Sequence, residues 1–221
     1  DDWKRGMRFA LIKGFPIILG WDPGPRNFSV HFMQMVPSKE GKVLWIVFDE
    51  LNFVGQFKPD YQVVPEIMRR MDHWNKHLGG TAVFVHVCPD EAFNVMRGDG
   101  SYDALRIHQL SNNRIRLKPC PKPKDSVTGR VQLLRNMFGG DTLFVSSVGC
   151  PKTVEMLRLL ASENEDGPGK FDINRSLKPK RSHYLHSFDS LSYPLFYFVV
   201  NPSVFNIRVE KSNAEEKVFW A

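Results

Sequence analysis

The chain has 221 residues, of which 42% are hydrophobic and 24% are charged. This composition is too apolar for a disordered protein, and the length fits one large domain or two small ones. Thirty lysines and arginines against 24 aspartates and glutamates give a formal net charge of +6. That charge is compatible with a polyanionic partner but does not require one.

The cysteines and the apolar segments exclude several classes of protein. Cys88, Cys120 and Cys150 form no CxxC motif and no Cys/His cluster. The sequence therefore predicts neither a disulfide framework nor a structural zinc site, and it favours a reducing compartment. The apolar runs are broken by Lys, Gly or Pro or are far shorter than the ~20 residues of a membrane-spanning helix. We expect no transmembrane helix, no signal peptide and no membrane partner.

Three strands are predicted in the N-terminal part of the chain. An apolar run from Ile17 leads into the acidic turn WDPG, and the alternating apolar residues from Phe28 suit a second strand. The segment from Val43 to Phe53 is β-branched and aromatic, which fits a third, buried strand. We expect these three strands to pair consecutively, antiparallel to one another.

The chain then changes to alternating helices and strands. Tyr61 to Leu78 has helical spacing of its apolar residues, and Thr81 to Asp90 reads as a buried strand that ends at an acid. The further predicted elements are a strand at Ile115 to Leu117, a helix at Val127 to Phe138, a strand at Thr142 to Val148, a helix at Thr153 to Ala161, a polar loop or β-hairpin arm between Ser162 and His183, and a helix from Tyr184 to about Val200 that Pro194 kinks. The predicted fold class is mixed α/β, with a central mixed sheet of about five main strands flanked by helices.

Three aspartates, Asp22, Asp90 and Asp189, lie where apolar elements end or pack, which is a costly place for an uncompensated carboxylate. If the first and fourth strands are neighbours and the last helix packs across their ends, the three carboxylates converge. Such a cluster suits a pair of Mg²⁺ or Mn²⁺ ions that cleave phosphodiesters. Each aspartate also has a purely structural explanation: a turn for Asp22, a helix N-cap for Asp90 and the helix dipole for Asp189.

The motifs around these acids form a recognisable series. They are GWDPG at Gly20 to Gly24, the strand VLWIVFDELNFVGQ, the acid in VHVCPDEAF, the helix TGRVQLLRNMF, the pair LFVSSVGCPKTVEMLRLLA and the closing segment KPKRSHYLHSFDSLSYPLFYF. From about Ile17 to Val200 the chain resembles the C-terminal nuclease domain of a tailed-bacteriophage terminase large subunit. The most specific parts of the resemblance are the GxDPG opening and the pattern H-x-x-D-[SA]-L-x-Y at His186 to Tyr193.

The resemblance implies an RNase H-like fold and a metal-dependent endonuclease, which cuts concatemeric double-stranded DNA during genome packaging with two divalent ions, Mg²⁺ or Mn²⁺. It makes Asp22, Asp90 and Asp189 the catalytic residues and metal ligands. The match at Asp90 is the weakest, because this chain has Cys-Pro-Asp-Glu-Ala where the family often has a Gly-Asp-Pro-Ala-Gly-like stretch, so Glu91 and Glu50 stay alternatives. Ser190 stands where alanine is commoner in the family, a change that we expect to be neutral.

The resemblance also implies partners and a setting. The partners are double-stranded DNA, the portal protein, the small terminase subunit and the ATPase domain of the same polypeptide. The setting is the host cytoplasm, transiently at the procapsid portal and not in the mature virion. The chain starts at Asp1 and contains no GxxxxGK[ST] phosphate-binding loop. Residues 16–221 are therefore expected to form a monomeric nuclease domain, and residues 1–15 the remnant of a linker to an ATPase domain outside this chain.

The remaining candidates concern contacts around the site. His186 lies three residues before Asp189 on one helix face, which makes it an accessory catalytic candidate. Basic residues give sequence-independent affinity for DNA by releasing counterions. The predicted DNA-binding residues are Lys122, Lys124, Arg130, Lys178, Lys180 and Arg181. Two alternatives stay open: another RNase H-like nuclease, such as a resolvase or integrase, and a non-catalytic module that binds DNA or a partner.

Overall fold

The computed structural model describes residues 11–24, 28–38, 40–53, 56, 58–122, 126–162 and 183–201, with the backbone alone at 159–162 and 183–184. Several predictions lie outside these residues. They concern residues 1–10 of the expected linker, the loop between Ser162 and His183, and the basic side chains Lys124, Lys178, Lys180 and Arg181.

A six-stranded mixed sheet forms the centre of the protein, in the order β5-β4-β1-β2-β3-β6. The strands are β1 Ile17–Asp22, β2 Ser29–Pro37, β3 Val43–Asn52, β4 Phe84–Pro89, β5 Leu117–Cys120 and β6 Leu143–Val145. The first three strands pair antiparallel, whereas β4 is parallel to β1, β5 to β4 and β6 to β3. This confirms the predicted mixed α/β class, and the arrangement is consistent with an RNase H-like fold.

Helices flank the sheet on both sides. They are α1 Asp60–His77, α2 Glu91–Asn94, α3 Asp103–Leu110, α4 Ser126–Gly139, α5 Pro151–Ser162 and α6 His183–Val200. One apolar cluster joins the sheet to α1 and α3, and a second joins the opposite face to α4, α5 and α6. Because both faces are covered, all six residues of β1 are buried. No helix among the described residues is long and apolar enough to cross a membrane.

The smallest strands differ most from the sequence prediction. β5 begins at Leu117, so the predicted strand at Ile115 to Leu117 starts too early. β6 ends at Val145 because the chain then turns, with the Cys150 N–H bonded to the Ser146 carbonyl. Both strands lie at sheet edges, where a short run of residues suffices for pairing.

A β-bulge in β3 determines which face of the sheet each of two neighbouring acids takes. Phe32 lies opposite Asp49 and Met33 opposite Val47, which leaves Phe48 without a partner. An extra residue reverses the alternation of side chains that follows it. Asp49 therefore faces α1, where its Oδ2 accepts a 2.8 Å hydrogen bond from Trp74 Nε1, while Glu50 faces α5.

Gly20 allows α6 to lie directly on β1. A Cβ atom at this position would be 1.9 Å from the Ser190 carbonyl oxygen and 2.6 Å from Pro194 Cγ. Any side chain here would push the helix away from the strand. The glycine two residues before Asp22 thus brings α6 over the end of β1.

Candidate active site

The carboxyl ends of β1 and β4 form the floor of the candidate site. The two strands are parallel neighbours, so they end at the same edge of the sheet. Asp22 is the last residue of β1, and Asp90 directly follows β4. Helix α6 packs on β1, β2, β4 and β5. This is the arrangement of strands and helix on which the predicted convergence of the three aspartates depends.

Asp22 is 8% exposed, and His186 Nδ1 is hydrogen-bonded to its Oδ2. Burial and the negative charge of Asp189 raise the pKa of Asp22 to about 6, against the opposing effects of His186 and Lys122. A buried carboxylate beside a second one is a place where an added cation is favoured.

His186 contacts Asp22 from the first turns of α6. Burial alone would lower the pKa of His186, but the hydrogen bond to Asp22 and the charges of Asp22 and Asp189 outweigh it and hold the pKa above the usual value. The imidazole therefore tends to carry its proton toward Asp22. The structure places this accessory candidate in direct contact with the first aspartate.

Asp189 is held by Arg130 of α4. Arg130 Nη1 donates hydrogen bonds to Asp189 Oδ1 at 2.6 Å and to Ser192 Oγ at 2.7 Å. Its guanidinium carbon lies 4.2 Å from the ring centre of Tyr193 and 5.1 Å from that of Phe188. Arg130 is only 1% exposed, so its guanidinium is buried under α6 and not on a surface that a DNA phosphate reaches.

Asp90 lies beside a second group of charges. It precedes α2, but its side chain makes no capping hydrogen bond. Burial and the neighbouring charge of Glu91 raise the pKa of Asp90. Glu91 Oε1 pairs with Lys122 Nζ at 2.8 Å, and the charge of Lys122 also lowers the pKa of Asp22 and of Asp90. Lys122 is thus placed among the acids on both strand ends.

Glu50, an alternative to Asp90, serves a different purpose. Its carboxylate accepts the backbone N–H groups of Lys152 at 2.6 Å and Thr153 at 3.0 Å, at the first turn of α5. Burial would raise the pKa of Glu50, but the nearby His31 and hydrogen bonds from Thr153 and Lys152 outweigh it, and the pKa lies below the usual value. These contacts make Glu50 a helix cap.

Carboxylate oxygens are the ligands that Mg²⁺ and Mn²⁺ prefer, and Asp22 and Asp189 supply them within electrostatic range of each other. However, no three His, Cys, Asp or Glu side chains in the described part of the chain form a group that could hold an ion. The acids pair instead with bases: Asp22 with His186, Asp189 with Arg130 and Glu91 with Lys122. The carboxylates of Asp22 and Asp189 are thus suitable donors for Mg²⁺ or Mn²⁺. A bound cation would have to share them with His186 and Arg130 or displace these bases.

The burial of Arg130 was not predicted from the sequence, in which basic residues were interpreted as surface contacts. A signal was available, because Arg130, Leu134 and Met137 fall at helical spacing on one face, and all three are buried. An arginine in such an apolar stripe requires a buried partner.

Comparisons with known proteins found a similarity to a solved structure but no match to a protein family. No protein-family model matches the chain, and a search of curated proteins found no match. Among solved structures, the chain is similar to the yeast mitochondrial Holliday junction resolvase Ydc2, with 11% identity and a TM-score of 0.36, over 91% of this chain and 90% of that one. A TM-score this low carries neither fold nor activity over, so the fold rests on the strand order.

Proposed function

We propose that this protein is a metal-dependent nuclease that hydrolyses phosphodiester bonds in DNA at the site formed by Asp22, Asp90 and Asp189. The observation that carries the proposal is the packing of α6 on β1, which sets His186 against Asp22 and brings the charge of Asp189 close enough to raise the pKa of Asp22. Carboxylates at neighbouring strand ends can bind the divalent ions that catalyse phosphoryl transfer.

The side chains of the site have different proposed roles, which follow from their charge and exposure. Asp22 and Asp189 would hold divalent cations, with Asp90 as the third acid. Such ions, when bound, supply an activated water and stabilise the leaving oxygen. His186 holds a proton at Nδ1 against Asp22. Lys122, whose side chain is 27% exposed, holds a positive charge where a DNA phosphate would approach the acids.

The finer proposal is that this nuclease belongs to a phage packaging terminase and cuts concatemeric double-stranded DNA. It is supported by the two specific motifs, GWDPG and HSFDSLSY, which contain Asp22, His186 and Asp189. The ATPase domain, the portal protein and the small terminase subunit as partners, and the host cytoplasm as location, belong to this finer proposal.

The proposal is tested by plasmid nicking in Mn²⁺ and in Mg²⁺. We expect Asp22→Asn and Asp189→Asn each to lower the nicking rate by at least roughly 100-fold, because each removes a charged oxygen ligand while nearly preserving shape. Asp72→Asn is the matched control, since Asp72 is an exposed residue of α1 that pairs with Arg114. Circular dichroism and thermal unfolding establish that each variant is folded.

Undiminished cleavage by both site variants would contradict the proposal. Preference for a four-way junction over linear duplex would favour a resolvase-type nuclease. The non-catalytic module has one observation in its favour, the pairing of Asp22, Asp189 and Glu91 with basic residues. DNA binding by the wild-type protein without any metal-dependent nicking would establish that second function.

A further inference from the structure

Six polar side chains are buried together between β2, β3, α5 and α6. We call them the buried polar network: Ser29, His31, Glu50, Thr153, Ser187 and Ser190. Glu50 is 7% exposed, and the other five are completely buried. They lie on the face of the sheet that α6 covers, one strand away from Asp22. The proposed reaction does not use any of them directly.

His31 is the centre of this network. Its Nδ1 is hydrogen-bonded to Ser190 Oγ at 2.8 Å. On the other side of the ring, Nε2 is hydrogen-bonded to Thr153 Oγ1 and lies 3.6 Å from Glu50 Oε2. A single imidazole in β2 thus connects the capped first turn of α5 to the middle of α6.

Ser190 is the point where the network holds α6. Besides His31, its hydroxyl lies 2.8 Å from Ser29 Oγ and 2.9 Å from the His186 carbonyl oxygen. Ser29 is the residue paired with Asp22 across β1 and β2. The attachment of α6 therefore lies directly beside the first catalytic aspartate.

The spacing along α6 links the attachment to the site. Ser187 follows His186, and Ser190 follows Asp189, so two serines occupy one helix face and two functional side chains occupy the next. Successive residues of an α-helix are rotated by about 100°. Any rotation of α6 that moves the serines off the network also turns His186 and Asp189 away from Asp22.

Stability alone does not explain so many buried polar groups. Replacing a satisfied polar network by apolar residues of similar volume is often neutral or stabilising. A satisfied network instead favours one arrangement of the elements that it joins, because alternative arrangements leave buried polar groups unpaired.

We propose that His31 is a positioning residue that, through Ser190, fixes the rotation of α6 and so brings His186 and Asp189 to Asp22. This inference rests on the proposed nuclease function. It also differs from one expectation from the sequence: Ser190 in place of the commoner alanine was expected to be neutral, whereas this proposal gives its hydroxyl, bonded to His31 and Ser29, a role.

Two substitutions whose side chains resemble each other in shape separate a positioning role from a packing role. The asparagine of His31→Asn keeps a polar group near the position of Nδ1. The leucine of His31→Leu has almost the same shape as asparagine but no polar group. A misplacement of about 1 Å in a catalytic group can cost roughly 100-fold in rate. We expect kcat for nicking to fall by about that factor in His31→Leu, to stay within roughly fivefold of wild type in His31→Asn, and KM for DNA to stay unchanged in both.

A second readout does not depend on nuclease activity. The ¹⁵N resonances of the His186 imidazole report its hydrogen bond to Asp22. They should shift toward those of a free imidazole in His31→Leu and stay near wild type in His31→Asn. Ser190→Ala removes the same contact from the other side and should behave like His31→Leu, which covers a failure of that variant to fold.

The two proposals fail in distinguishable ways. A wild-type protein that cuts no DNA removes the nuclease proposal, and the His186 resonances then decide the positioning proposal alone. Equal kcat for the folded Leu and Asn variants, or unchanged His186 resonances in both His31→Leu and Ser190→Ala, would overturn the positioning role.

Discussion

His86 is a titratable side chain of β4 that is buried, and no charged side chain in the described part of the chain pairs with it. It is 4% exposed, and its Nδ1 accepts a 3.2 Å hydrogen bond from Trp21 Nε1. Burial lowers the pKa of His86 to about 3. The ring is therefore neutral at physiological pH, with its proton on Nε2.

This burial predicts acid sensitivity of the fold. The unfolded state binds a proton at His86 below about pH 6.5, whereas the folded state resists doing so down to about pH 3. Protonation of His86 in the unfolded state therefore costs little stability above pH 6.5, and the free energy of unfolding falls as the pH drops below this value. From this residue alone, the free energy of unfolding should decrease by about 2 kcal/mol between pH 8 and pH 5.

Urea denaturation of the wild type and of His86→Gln at both pH values measures the effect. The glutamine does not titrate, and its amide oxygen can still accept the Trp21 N–H. We expect the variant to lose about 2 kcal/mol less than the wild type over this range. Parallel losses in the two proteins would contradict this assignment.

Single residues differ in how well the sequence predicts them. Asp22, His186 and Asp189 belong to short motifs, and the structure brings His186 into contact with Asp22 and Asp189 within electrostatic range of it. Whether they are metal ligands stays a prediction. Arg130 and Ser190 could not be placed in the same way, because their roles depend on partners 59 and 159 residues away in the chain.

At the scale of elements, the contact between β1 and α6 determines the site. α6 delivers both His186 and Asp189, and it packs against the strand that ends in Asp22. Gly20 permits this approach, since even a methyl group would overlap the Ser190 carbonyl. The same carbonyl belongs to the residue that the buried polar network holds.

Gly20→Ala is therefore expected to displace α6. Overpacking of this kind costs about 1–3 kcal/mol, and backbone contact at 1.9 Å places the effect at the upper end. Nicking should fall further than the loss of stability explains, because both α6 side chains move away from Asp22. Chemical denaturation and nicking rates measure the two effects.

Gly98→Ala is the control for that change, because a Cβ atom at Gly98 would meet no heavy atom within 4 Å. It should leave stability and nicking close to wild type. A Gly20→Ala protein as stable and as active as this control would contradict the account of the helix contact.

The long helices were predicted closely, and the short edge strands were not. The predicted helices at 61–78 and 127–138 match α1 and α4 within one residue at each end. β5 and β6 are short, so propensity alone could not bound them. The bulge at Phe48 leaves no signal in the periodicity, yet it turns Glu50 toward α5 instead of α1.

At the scale of the whole molecule, the strand order makes one site from distant segments. The strands and the last helix are predictable from the sequence, but convergence of the acids was conditional on β4 lying beside β1. The fold meets that condition through parallel pairing of β1 with β4. Such pairing depends on a crossover through α1, and no local pattern in the sequence specifies which strand β4 then joins.

The distribution of charge is also a property of the whole fold. The net charge of +6 is an average over a molecule in which basic side chains such as Arg130 and Lys122 pair with acids. The acids of the site are paired with bases, so the proposed affinity for DNA would depend on the partly exposed Lys122 together with basic residues elsewhere in the chain. The segment between Ser162 and His183 carries five of them in the sequence: Lys170, Arg175, Lys178, Lys180 and Arg181.

Anomalous diffraction from crystals soaked in millimolar Mn²⁺ tests the central claim most directly. We predict Mn²⁺ bound by carboxylate oxygens of both Asp22 and Asp189, at about 2.0–2.6 Å. Asp189→Asn is the matched control and should lose the anomalous peak. Wild-type crystals with no peak at these carboxylates, in which Asp22 still bonds to His186 and Asp189 to Arg130, would contradict a metal-dependent site.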